Sequence, residues 1–236
     1  MTTTVFFDFY GTLAEAQQWG GTSIFELIEA AGHEVPDHAA DWWAPHRFDG
    51  VDHRRHSASR EAYLEWERSH RREFLTTCGI PDDVAAAIIR QFEDTLGDHV
   101  LRAYDEVPDV LAELGRRGVQ RVICSNWDWD LDRAVQSAGL SHLIDAQVTS
   151  AQAGARKPHP HIYAHTLEVA GCEVSEVLFV GDTLGPDLEG PLRAGMRAAL
   201  VWRDDPDFRS RRPEPPAELH DEGLVIRDLT EVLNLL

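Results

Sequence analysis

Lysine is almost missing from this chain. Lys157 is the one lysine among 236 residues, so arginine supplies the other 21 of the 22 basic side chains. Basic charge of either kind is scarce beside 41 Asp and Glu, and the formal net charge is −19. A surface that acidic repels phosphate backbones and anionic headgroups, which sets aside nucleic-acid and membrane-surface binding. Cysteine is also sparse. Cys78, Cys124 and Cys172 are odd in number, widely scattered and without zinc spacing, which predicts reduced thiols in a cytoplasmic protein rather than a disulfide framework. No run approaches the ~18–20 apolar residues of a membrane helix. The first residues lack both the basic start and the long apolar stretch of a signal peptide.

What is present is an ordinary globular balance, 43% hydrophobic and 27% charged, enough for one large domain or a core with a small accessory domain. Val5–Phe7 is a short aromatic and β-branched run ending at Asp8 and followed by Gly11-Thr12, a buried strand opening into a tight loop. Helical periods follow over Ser23–Ala31, Ser59–Cys78 and Asp82–Leu96, with no strand between Phe25 and Leu96. After about Asp98 strands and helices alternate. Strands are expected at Arg121–Cys124, Ala146–Thr149, Val177–Val180, Ala198–Trp202 and Gly223–Ile226. Helices are expected at Val107–Arg117, Leu131–Ala138, His161–Ala170, Leu188–Ala194 and Leu229–Leu235, and Asp204–Pro216 reads as a surface loop. This alternation predicts an α/β fold, a doubly wound parallel sheet of Rossmann-like type. Residues 1–14 and 98–236 would form it, and residues 15–97 would form an all-helical cap.

Ligands of such sheets bind beyond the carboxyl ends of the strands, where four sets of residues stand out. Asp8 at a strand tip suits a nucleophile or a metal ligand, or a helix cap. Asp182 and Asp187 follow the strand ending at Gly181 and offer hard oxygen ligands for Mg²⁺, or simply a turn with Asp187 as a cap. Lys157, held on a loop by Pro158 and Pro160, would offset the repulsion between carboxylates and an incoming anion, or sit solvated. Ser125 and Asn126 at a strand end would donate to phosphoryl or carboxylate oxygens, or cap a turn.

Taken together, Asp8-Phe9-Tyr10-Gly11-Thr12-Leu13, Ser125-Asn126, Lys157-Pro158 and Gly181-Asp182 through Asp187 resemble the motifs of the haloacid dehalogenase-like hydrolases. The likeness covers residues 1–14 and roughly 98–202, and the helical insert resembles that family's type 1 cap. The resemblance implies that Asp8 attacks the substrate and forms an aspartyl intermediate. It implies Mg²⁺ held by Asp8, the Tyr10 backbone carbonyl and Asp182, with Asp187 in or near the next layer. It implies phosphoryl contacts from Thr12 and Ser125, and Lys157 as the group that orients Asp8.

The match departs at Tyr10. Phosphatases of the family carry there a second Asp that serves as general acid and base, and a phenol with an ordinary pKa near ~10 is a poor substitute. An Asp-x-Tyr loop instead resembles the metal-independent 2-haloacid dehalogenases, whose halide leaving group needs no proton. The last motif, with Asp182 and Asp187, points back to a cation and to phosphoryl transfer. The leading expectation is a Mg²⁺-dependent phosphatase of a small metabolite, with haloacid dehalogenase and non-catalytic binding module as alternatives. The mutase and phosphonoacetaldehyde hydrolase branches are disfavoured, the first by the absent Asp and the second by a cap without lysine. The insert adds Trp19, Trp42, Trp43, Phe48 and Trp66 and the polar set His46, Arg47, His53, Arg54, Arg55 and His56. Most of these read as packing or solvated groups, with Arg47 as the candidate clamp on a substrate anion.

Overall fold

The computed structural model describes residues 2–18, 21–42, 48–95, 100–210, 214–221 and 224–236. Eight strands are present among them: β1 (Thr4–Phe7), β2 (Ala14–Gln18), β3 (Val100–Ala103), β4 (Gln120–Ser125), β5 (Ala146–Thr149), β6 (Val177–Gly181), β7 (Arg197–Val201) and β8 (Val225–Ile226). Six form one sheet in the order β5-β4-β1-β6-β7-β8, and every pairing in it is parallel. β1 lies between β4 and β6, with Phe7 opposite Ile123 and Val180. The strand order reverses there, which places the ligand crevice of a doubly wound sheet at the ends of β1 and β6.

The sheet is buried on both faces, so its strands read as continuous apolar runs rather than alternating ones. Val5, Phe7, Ile123, Leu178 and Val180 point to one face. They meet α5 (Val107–Arg116), α6 (Leu131–Ser137) and the C-terminal turn of Leu229–Asn234. Phe6, Val122, Cys124, Val177 and Phe179 point to the other face and meet α8 (Pro160–Ala170). Pro160 sits in the first turn of α8, where a proline is accommodated, one residue before the expected start at His161.

The segment between β2 and β3 holds α1 (Ile24–Ala30), the single turn α2 (Ala39–Trp42), α3 (Arg60–Thr77) and α4 (Asp82–Thr95). Ser23 and Glu26 make a reciprocal capping box at the start of α1, and the Ser59 hydroxyl accepts from Ala62 N at the start of α3. These helices have an apolar core of their own, with Ile24, Ile28, Phe74, Leu75, Ile88 and Ile89 buried together. No helix among the described residues is long and apolar enough to cross a membrane.

Three local features differ from the sequence reading. β2 and β3 pair antiparallel as a ribbon joining sheet and helices. Both strands are short, β2 is polar, and the partners lie far apart in sequence. The expected helix from Leu188 starts earlier, as a wide turn over Leu184–Glu189 that runs into α9 (Gly190–Arg193). The expected loop over 204–216 contains α10 (Pro206–Ser210), and α11 (Ala217–Asp221) follows it.

Candidate active site

The loop after β1 closes on itself. Leu13 N and Ala14 N both donate to Phe9 O at 2.9 and 3.0 Å, and Gly11 N donates to Ala14 O at 2.8 Å with Gly11 at φ 85°. That left-handed turn suits glycine. Asp8 N is tied to Val180 O at 2.9 Å, which anchors the carboxylate to β6 as well as β1. Thr12 is fully buried and its hydroxyl donates to Asp182 Oδ1 at 2.9 Å. Tyr10 is half-buried and packs on the Val5 and Phe7 side of the sheet.

Lys157 lies between α7 (Ser150–Ala153) and α8 and is 1% exposed. Its ammonium donates to Asp8 Oδ1 at 2.8 Å and Asp187 Oδ1 at 2.6 Å. The Lys157–Pro158 peptide bond is cis. Asn126, just past the end of β4, grips the lysine's backbone: Lys157 N donates to Asn126 Oδ1 at 2.7 Å and Asn126 Nδ2 donates to Lys157 O at 3.0 Å. That is a different use from the phosphoryl contact expected of Asn126. Ser125 is the buried last residue of β4, on the same row of strand ends.

Of the two expectations for Asp187, an oxygen ligand or a helix cap, the cap does not form. The wide turn instead carries its side chain inward, where Oδ2 accepts from Thr183 N at 2.9 Å while Oδ1 holds Lys157. The inward path needs Gly181, since a Cβ there would overlap the Asp187 side chain. Tyr163 braces the turn by donating to Pro186 O at 2.6 Å.

Asp8, Asp182 and Asp187 are buried, and each has a carboxylate oxygen within 4.8 Å of the others. With Lys157 as the adjacent ammonium, three ionised carboxylates leave an excess of two negative charges. Burial pushes Asp187 up to about 7; Lys157 pulls against that shift, and Asp8 and Asp182 add to it. Burial also opposes the charge on Lys157, but Asp187 and Asp8 outweigh it and hold the ammonium above its ordinary range. A divalent cation fits this donor set. The ligands are hard oxygens, the charge it would cancel is present, and opposite ligands of Mg²⁺ stand about 4.2 Å apart. Both oxygens of Asp187 accept hydrogen bonds, from Lys157 Nζ and from Thr183 N.

The helical layer touches this site through a short strap. Arg156 N donates to Val51 O at 3.0 Å, His53 N to Gly154 O at 2.7 Å and Gly50 N to Lys157 O at 3.2 Å. Gly154 has φ +77°, and a Cβ there would come 2.7 Å from Arg54 Cα. His53 is buried, stacked on Trp66 at 4.5 Å. Arg54 pairs with Asp52 at the surface, and Arg55 and His56 are exposed. A second contact joins α3 to the loop after Asn126: Arg60 pairs with Asp130 at 2.5 Å and Tyr63 donates to Asp128 at 3.3 Å. Arg47, His46, Trp19 and Trp43 lie outside the described residues, as does the side chain of Trp42.

Sequence reasoning missed the strap, Tyr163 and Arg203. Arg203 lies just past β7, so the rule of strand ends, carried one strand further, would have reached it.

A family model described as haloacid dehalogenase-like hydrolase matches residues 2–195. The chain is 36% identical over 213 residues to a phosphoserine phosphatase of Thermus thermophilus, covering 88% of this chain and 77% of that protein. A predicted phosphoglycolate phosphatase from Haemophilus somnus superposes with a TM-score of 0.65 at 17% identity, over 99% of this chain and 97% of the other. The L-2-haloacid dehalogenase of Xanthobacter autotrophicus superposes at 0.58 with 26% identity, over 100% and 98% of the two chains. With the parallel sheet and the strand-end carboxylates already in view, the extent of these matches establishes that the chain belongs to the haloacid dehalogenase-like hydrolases.

Proposed function

We propose that this chain is a cytoplasmic Mg²⁺-dependent phosphatase of a small phosphorylated metabolite, acting through an aspartyl phosphate on Asp8. The observation that carries the reading is the buried cluster of Asp8, Asp182, Asp187 and Lys157, whose excess negative charge calls for a cation. The phosphatase name of a relative matched over most of both chains supports it. The ion, when bound, would shield Asp8 from the phosphate and stabilise charge on the transferring group. Asp8 and Asp182 would hold it, with the Tyr10 backbone carbonyl. Asp8 would attack phosphorus as the bond to the ester oxygen breaks and the alcohol portion departs, and water would then hydrolyse the aspartyl phosphate to phosphate and free Asp8, while Lys157 fixes the orientation of Asp8 and neutralises charge. Thr12 and Ser125 would donate to phosphoryl oxygens. Residues 15–97 would act as the cap that keeps water and large substrates out, with Arg47 as an anion clamp.

A second reading rests on Tyr10, which suits a haloacid dehalogenase and accords with the dehalogenase superposition. One assay set separates the two. The phosphatase releases p-nitrophenol from p-nitrophenyl phosphate, stops in EDTA, recovers with Mg²⁺ and is lost in Asp8→Asn. Chloride release from 2-chloropropionate that persists in EDTA, with no phosphate release, would overturn the proposal.

A further inference from the structure

The loop that carries Asp8 and Thr12 is braced from outside the four motifs. Arg203, two residues beyond the end of β7, is 7% exposed. Its guanidinium makes three contacts at once. Nη2 donates to Thr12 O at 2.8 Å, Nη1 pairs with Glu106 Oε1 at 2.6 Å, and Cζ lies over the Tyr104 ring, 3.6 Å from its centroid. Tyr104 touches the same loop by donating from its backbone N to Leu13 O at 3.2 Å. Arg209 in turn donates from Nε to Arg203 O at 3.0 Å, which ties α10 to this brace.

We propose that Arg203 is a positioning residue for the nucleophile loop, acting through the Thr12 carbonyl to set where Thr12 meets Asp182 and where Asp8 faces Lys157. A buried carbonyl needs a donor, and the Thr12 carbonyl receives one from Arg203. The same residue's hydroxyl fixes Asp182. A shift of the Thr12 peptide is therefore passed to a candidate cation ligand. A guanidinium can fork between Glu106 and Thr12 with its Cζ over the Tyr104 ring. A lysine carries its donors on a single nitrogen, so it has neither the spread of the fork nor the planar face that meets the ring.

The kinetic half of the test rests on the phosphatase reading; the exchange half does not. In Arg203→Met, kcat for p-nitrophenyl phosphate falls about 10- to 100-fold with KM within about threefold, the size expected when reacting groups lose alignment. The Mg²⁺ concentration for half-maximal activity rises several-fold, and hydrogen–deuterium exchange rises in the peptide spanning residues 6–16 while β4 and β6 stay protected. Arg203→Lys lies between parent and Arg203→Met on every measure, and it carries the test alone if the methionine variant does not fold. A lower melting temperature with kcat, Mg²⁺ requirement and loop exchange all at parental values assigns Arg203 a merely structural role and overturns the proposal. If the parent itself hydrolyses no phosphate ester, the functional reading fails. Loop exchange and calorimetric Mg²⁺ affinity then decide Arg203, and parental values for both refute it.

Discussion

At the scale of single residues the chemistry turns on a phenol standing where a carboxylic acid would shuttle protons. Tyr10 packs against the sheet core beside Asp8, and general acid–base assistance contributes roughly 10²–10⁴-fold where it operates. An enzyme without that group depends on the leaving group to depart unaided. Tyr10→Asp should therefore raise kcat on alkyl phosphates at least about tenfold and change aryl phosphate turnover much less. Steady-state rates on a series of leaving groups check this, and equal effects across the series would place the proton donor elsewhere. The other charged members of the site were legible in the sequence for a physical reason. A carboxylate at the end of an apolar strand is costly to bury, so its presence there signals a partner, and the chain has one lysine to supply it. Arg203 carries no such signal by residue type among 21 arginines; only its place just past β7 marks it.

At the scale of elements the strap over residues 50–53 is the contact that ties the helical layer to the lysine loop, and it carries a titratable group. Burial, followed by the charge of Arg156, pulls His53 down to about 4, with His56 and His70 acting the same way and Asp52 opposing them. Its Nδ1 lies 3.0 Å from Ser57 Oγ. An imidazole depressed in the folded state binds fewer protons there than in the unfolded chain. Stability from His53 is therefore present above about pH 6.5 and lost as pH falls toward 4. His53→Gln should flatten the fall of stability, and with it of melting temperature, between pH 7 and 5, a difference of at most about 2 kcal/mol. Parallel melting curves for parent and variant would remove His53 from the acid response. Elements with a strong period and a cap, such as α3 with Ser59 and α4 with its leading Asp82, were readable within a residue or two. The β2–β3 ribbon and the wide turn around Asp187 were not. Pairing over more than eighty residues and an inward-turned carboxylate are decided by tertiary contacts that no local pattern encodes.

At the scale of the whole molecule two charge excesses of different size coexist, one spread over the surface and one local to the site. The formal net charge of −19 repels itself across distances comparable to the Debye length, ~10 Å at 0.1 M salt and ~3 Å at 1 M. The melting temperature should climb as KCl rises from 0.05 to 1 M, while the same osmolality of a non-ionic solute leaves the charge repulsion in place. The local excess among Asp8, Asp182, Asp187 and Lys157 responds to a different variable. A site-bound cation stabilises by mass action, about 2.7 kcal/mol at a hundredfold excess over Kd, and this saturates at Mg²⁺ concentrations too low to screen the surface. Measured at constant 0.5 M KCl, millimolar Mg²⁺ should still raise the melting temperature of the parent and should not raise that of Asp182→Asn. Both proteins should keep the same slope with KCl. An Mg²⁺ shift of equal size in the two would mean that magnesium acts only as another screening ion. The strand-end carboxylates would then be a structural cluster satisfied by Lys157 and Thr12, and the cation would drop out of the chemistry of Asp8.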